Sequence, residues 1–108
     1  MWAQLIETRL KPDLKSDDLA PRMLAVQESI HEAEQPGSGL LRTLTMQDQA
    51  DPYRLITLVV FESEDHARAR EQDPRREAGL QSARAAMGEL VDGPFAFTDL
   101  TVLGEWAG

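Results

Sequence analysis

The sequence contains no cysteine and no asparagine in 108 residues. The missing cysteine rules out a thiol nucleophile, a disulfide and a thiolate metal site. Basic residues are scarce: 11 Lys and Arg face 19 Asp and Glu, a formal net charge of −8. A field of that sign repels phosphate backbones and anionic headgroups, so neither nucleic acid nor a membrane is an expected partner. Long apolar runs are also missing. None approaches the roughly 20 residues needed to cross a bilayer. Met1-Trp2-Ala3-Gln4 leads straight into strand-like sequence, without the basic and apolar stretches of a secretory signal, so the cytoplasm is the expected compartment. The length suits one domain, residues 1–108, whose modest core would gain from a partner.

What is present is ordered. Trp2 to Lys11 alternates as a strand, with Trp2, Gln4, Ile6, Thr8 and Leu10 on one face and Ala3, Leu5, Glu7, Arg9 and Lys11 on the other. Pro12 ends it. A helix follows, capped by Asp17 or Asp18, with Pro21 in its first turn and an apolar stripe of Leu19, Met23, Val26, Ile30 and Ala33. Pro36-Gly37-Ser38-Gly39 breaks the helix. Strands from about Leu40 to Gln47 and Tyr53 to Phe61 flank a short turn, which makes them an antiparallel hairpin. Ser63 caps a second helix, which Asp73-Pro74 interrupts and restarts. Leu80, Ala83, Met87, Leu90 and Val91 form the stripe of its second part. Gly93-Pro94 stops it, and a last strand covers about Phe95 to Leu103.

The order β-α-β-β-α-β predicts an α+β, ferredoxin-like fold: a four-stranded antiparallel sheet with both helices on one face and the first and third strands central. The third strand, Leu55-Ile56-Thr57-Leu58-Val59-Val60-Phe61, is apolar on both faces. The face without helices needs a cover, and a second copy of the chain supplies it most simply, so a homodimer is expected.

This order, the interrupted second helix, Glu7-Thr8-Arg9-Leu10 on the first strand and Val59-Val60-Phe61-Glu62-Ser63-Glu64 after the third resemble the antibiotic biosynthesis monooxygenase-like family of dimeric α/β barrels. The resemblance runs along nearly the whole chain. It implies the barrel-forming dimer and, as one option, a cofactor-free monooxygenase acting on an aromatic or polyketide-like small molecule. The other option is a non-catalytic dimeric domain that binds a small ligand or acts as a scaffold. No cofactor is expected. Against the pattern of the family's haem degraders, Thr8, Arg70 and Leu80 stand where an asparagine, a tryptophan and a histidine would be, so haem breakdown is not expected.

The candidate residues follow from chemistry. His66, in the first turn of the second helix, suits proton transfer near neutral pH. Tyr53 is the one phenol, and Glu7 a carboxylate on the first strand; these three are the catalytic candidates. Arg9, Arg42 and Thr8 are the ligand-binding candidates. Glu7, Arg9, Arg42 and Arg54 can equally be paired ions at a dimer interface. Arg68, Arg70, Arg75 and Arg76 read as a solvated helix face. His31 and His66 lie on different helices without metal-ligand spacing, so no metal site is expected. The space between helices and sheet separates the two options. A closed cavity with Glu7, Tyr53, His66 or an arginine facing in would favour catalysis, and filling by Met23, Val26, Ile30 and Met87 would favour a bland core.

Overall fold

A computed structural model describes residues 1–14 and 16–108. Strands β1 (Trp2–Arg9), β2 (Leu40–Gln47), β3 (Arg54–Phe61) and β4 (Ala96–Thr101) form one antiparallel sheet in the order β2-β3-β1-β4. The helices are α1 (Ser16–Glu32), α2 (Glu64–Glu71) and α3 (Glu77–Leu90), with a 3₁₀ turn at Pro74–Arg76 between the last two. This is the ferredoxin-like order, with β1 and β3 in the centre. Among the described residues no helix is long and apolar enough to cross a membrane.

Strand alternation sorts the side chains between two faces. Trp2, Gln4, Ile6 and Thr8 align with Leu55, Thr57, Val59 and Phe61, and with Thr43 and Thr45, under the helices. Two buried clusters form there. Leu10, Leu19, Met23, Val26, Leu55, Ala83 and Leu90 make the larger one. Trp2, Val59, Phe61 and Ala67 make the smaller. Leu90 and Val26 are the most deeply buried, and a side chain of that kind contributes about 1.5–3 kcal/mol on burial. The other face carries Ala3, Leu5, Glu7, Arg9, Arg54, Ile56, Leu58, Val60, Arg42, Leu44 and Met46. Among the described residues no helix covers it, and Leu44, Met46 and Leu100 stand exposed.

Local chemistry sets the joints. Asp48 accepts hydrogen bonds from the Ala50 and Asp51 amides, which shapes the hairpin turn. Ser63 caps α2 by accepting from the His66 amide at 3.1 Å. Asp73 caps the 3₁₀ turn by accepting from the Arg75 amide at 3.0 Å, and Pro74 opens that turn. The Arg75 side chain and amide together hold the Asp73 carboxyl down at about 2. Gly79 lets α3 approach α1, since a Cβ there would stand 2.6 Å from that of Ala33.

Three details differ from the sequence expectation. The first strand ends at Arg9 rather than Lys11, because Leu10 bridges to Val91 and the Lys11 amide donates to the Leu90 carbonyl. The chain is thus drawn to the end of α3. Asp17 and Asp18 stand inside the first turn of α1, where the helix dipole favours acids, and are not its cap; the position before Ser16 lies outside the described residues. Pro21 falls in the second turn, not the first, and so removes one helical hydrogen bond.

Candidate functional site

Between the two buried clusters the helices stand off the sheet and leave a cavity of about 430 Å³. Its floor is Ile6, Thr43, Thr45, Thr57 and Val59; α1 supplies Met23, Val26, Gln27 and Ile30, and α3 supplies Leu80, Ala83 and Met87. Phe95 and Phe97, whose ring centroids are 6.4 Å apart, line the side next to β4. The wall is mainly apolar, with one polar track. Gln27 Nε2 donates to Thr45 Oγ1 at 2.7 Å, and Thr45 Oγ1 lies 3.5 Å from Thr57 Oγ1. A mainly apolar cavity with a few placed hydrogen-bonding groups is the usual make-up of a small-molecule site.

Arginines also line it. Arg70 is paired with Glu34, with Nη2 to Oε1 at 2.7 Å and Nε to both carboxylate oxygens at 2.9 Å, and its guanidinium stacks over the Phe61 ring at 5.3 Å. Burial raises the Glu34 carboxyl, but the hydrogen bonds and charge of Arg70 outweigh it and leave the group below its usual range. Arg76, next to this pair, is only 6 % exposed. Burial first, and then the charge of Arg70, lower its guanidinium from the usual arginine range. The expectation of a solvated helix face therefore fails for two of the four arginines. The interruption at Asp73-Pro74 turns Arg76 inward, and Glu34 draws Arg70 down, while Arg75 stays on the surface.

No protein-family model matches the sequence, and no curated protein matches it. Solved structures do match. A provisionally named antibiotic biosynthesis monooxygenase from Bordetella bronchiseptica superposes with a TM-score of 0.69 at 16% identity, over 94% of this chain and 96% of that one. A variant of SnoaB, a cofactor-independent oxygenase from Streptomyces nogalater, gives 0.64 at 12% identity, over 96% and 94%. A dimeric protein of unknown function and ferredoxin-like fold from Bacteroides fragilis gives 0.65 at 14%, over 94% and 95%. The chain shares their fold. At these identities the likeness carries the architecture, and chemistry has to be read from the residues.

The residues expected from sequence are dispersed around this cavity. His66 lies by the turn before β2: its Nδ1 is 2.6 Å from Ser63 Oγ, its Nε2 is 3.5 Å from the Glu62 carboxylate, and its ring sits where a Cβ on Gly39 would be. Tyr53 lines a separate hollow with Leu10, Leu14 and Leu19. Glu7 is on the bare face, hydrogen-bonded to Arg54, which also binds Asp48 at 3.1 Å. Arg9 pairs with Asp51 at 2.8 Å, and Arg42 is exposed without an ion pair among the described residues. Thr8 is buried, and its hydroxyl donates to the Pro94 carbonyl at 3.3 Å. Of the three positions set against the haem degraders, Arg70 and Leu80 line the cavity and Thr8 does not. Among the described residues no group of three or more His, Asp or Glu could hold a metal ion.

Sequence reasoning missed Gln27, Thr43, Thr45, Thr57 and Arg76. A signal for the threonines was available. In β2 the residues that alternate towards the helices are Thr43, Thr45 and Gln47, while Leu44 and Met46 point away. A strand that turns its polar row towards its own helices marks a space there that is not solid core.

Proposed function

We propose that the protein binds an aromatic or polyketide-like small molecule in the cavity between helices and sheet, and acts on it as a cofactor-free monooxygenase. The cavity itself carries the reading: about 430 Å³, mainly apolar, crossed by one hydroxyl and amide track. Gln27, Thr45 and Thr57 would hold a ligand carbonyl or phenol oxygen, and the apolar walls would hold the rings. The substrate would supply the electrons. An ionised anthrone passes them to dioxygen; one oxygen atom enters the ring as a carbonyl, and the other leaves as water with the two displaced hydrogens. The likeness to SnoaB supports this choice of reaction.

The working unit in this proposal is one domain, residues 1–108, paired as a homodimer in the cytoplasm. The uncovered face with Leu44, Leu58, Met46 and Leu100 supports the pairing, since an apolar face of that kind is unusual for a monomer. The dimeric Bacteroides fragilis protein supports it too.

One observation favours a second reading, binding without catalysis: among the described residues, none that lines the cavity is a carboxylate, an imidazole or a phenol. Oxygen uptake separates the two. With anthrone and no added metal or flavin, the purified protein is expected to speed uptake well above the uncatalysed rate. Anthrone binding with unchanged uptake would select the second reading. Thr45→Val should lower the rate by about tenfold if the track positions the substrate. His66→Ala and Tyr53→Phe, both outside the cavity, should leave it unchanged. A tenfold fall in either would bring that residue into the mechanism.

A further inference from the structure

The charges around the cavity do not match those of the molecule as a whole. The chain carries a net −8, yet the ionisable side chains lining the cavity are Arg70, Arg76 and Arg84, with no acid among them. Two of the three are answered from outside the wall. Arg70 has Glu34 at 2.7 Å, and Arg84 reaches Glu77 at 2.6 Å and is otherwise in solvent. Arg76 is the exception. It is 6 % exposed, and its Nη1 donates to the Arg70 carbonyl at 3.1 Å. Its Nε is buried with no hydrogen-bond partner, and the guanidinium makes no ion pair among the described residues. Arg70 and Arg76 also line a smaller hollow of about 150 Å³ with Gln35, Ser38 and His66, so the two arginines stand between the two spaces.

An arginine that is buried, charged and without an ion-pair partner is costly to keep, because much of its hydration is lost and a single carbonyl oxygen replaces only part of it. Such a group invites a functional explanation. The local count is three guanidiniums, Arg70, Arg75 and Arg76, against two carboxylates, Glu34, which pairs with Arg70, and Asp73, which pairs with Arg75. One negative charge is missing, and the large cavity beside it has room for more than an ion.

We infer that Arg76 is the anion anchor of this cavity and that the ligand is an apolar, ring-sized molecule bearing an acidic oxygen, either a carboxylate or an ionised phenol. The inference rests on the cavity being the binding site and adds the chemical class of the ligand and the residue that selects it. The planar guanidinium suits an oxygen anion, which can take two parallel hydrogen bonds from it. The apolar body of the ligand then lies along Ile6, Val26, Ile30 and Met87. Its polar end meets Arg76, where the helix interruption at Asp73-Pro74 has brought the side chain inside.

The test compares two probes with the same rings, 2-naphthoate and naphthalene-2-carboxamide, by calorimetric titration at neutral pH. The wild type is expected to bind 2-naphthoate at least tenfold more tightly than the neutral amide. In Arg76→Gln that preference should vanish while amide binding stays. In Glu34→Gln, which leaves Arg70 without its counter-ion, 2-naphthoate should bind more tightly than in the wild type. Equal affinity for the two probes in the wild type, or a preference that survives Arg76→Gln, would overturn the inference and leave the cavity reading standing. Binding of neither probe would remove both. If Arg76→Gln fails to fold by circular dichroism, Glu34→Gln decides: 2-naphthoate affinity that does not rise overturns the inference.

Discussion

On the bare face of the sheet Arg54 lies between Glu7 and Asp48, and Arg9 reaches Asp51. Arg42 has no ion pair among the described residues there, but it is exposed and water serves it. Under the helices Arg70 has Glu34, while among the described residues Arg76 has a carbonyl oxygen and a buried Nε with nothing to donate to. In the open, ion pairs are optional and worth little, because solvent can replace either partner. Behind the helices solvent reaches the groups less readily, so an unpaired charge there carries more information. The residues that drew attention in the sequence as a carboxylate with nearby guanidiniums belong to the first case. The group that chemistry singles out belongs to the second.

The largest expected effect concerns the bare face. Leu58→Asp puts a charge at its centre, opposite Leu5 and Leu44. Sedimentation equilibrium should then show the chain mass in place of twice that mass. A wild type that already sediments at the chain mass would remove the dimer. Next comes the covered face. Leu90→Ala, at one of the most buried positions, should lower stability by about 2–5 kcal/mol in urea denaturation. A loss under about 1 kcal/mol would mean that this cluster is not the main core.

Acid should act on both sides of the sheet, because Asp48, held by the Ala50 amide, and Asp51, held by Arg9, also lie below their usual range beside the bare face. Glu34 is held below its usual range and Asp73 down at about 2. A carboxyl whose folded value is depressed contributes stability above its unfolded value and loses it as pH falls through the folded value. Stability should therefore fall from about pH 4 towards pH 2, and Glu34→Gln should flatten the upper part of that fall. The measurement is the urea midpoint against pH, and an identical curve for the variant would discount Glu34. The smallest effect belongs to the exposed pairs. Glu7→Gln should cost no more than about 1 kcal/mol in urea denaturation. A larger loss that depends on protein concentration would place Glu7 in the dimer contact instead.

Much of the fold was legible because its punctuation is local. Pro36-Gly37-Ser38-Gly39, Ser63 and Asp73-Pro74 act through backbone geometry and caps within a few residues, and the stripe Leu19, Met23, Val26, Ile30 follows from helical spacing alone. The doubly apolar β3 announced an uncovered face in the same way. The cavity was less legible, because an unfilled space is set by how far α1 and α3 stand from the sheet, which no single segment encodes. Arg76 was hidden for a related reason. In sequence it is one of four arginines in a charged stretch, and only the turn at Pro74, together with the pairing of Arg70 to Glu34, separates it from its neighbours.

In the proposed binding mode the ligand enters between helices and sheet and does not settle on the bare face or near Tyr53. Methyl-resolved NMR during titration with 2-naphthoate tests it most directly. Shifts concentrated at Ile6, Val26, Ile30, Val59 and Met87, with Ile56, Leu58, Leu14 and Leu19 unmoved, are the predicted result. Shifts confined to Ile56 and Leu58, or to Leu14 and Leu19 beside Tyr53, would contradict it.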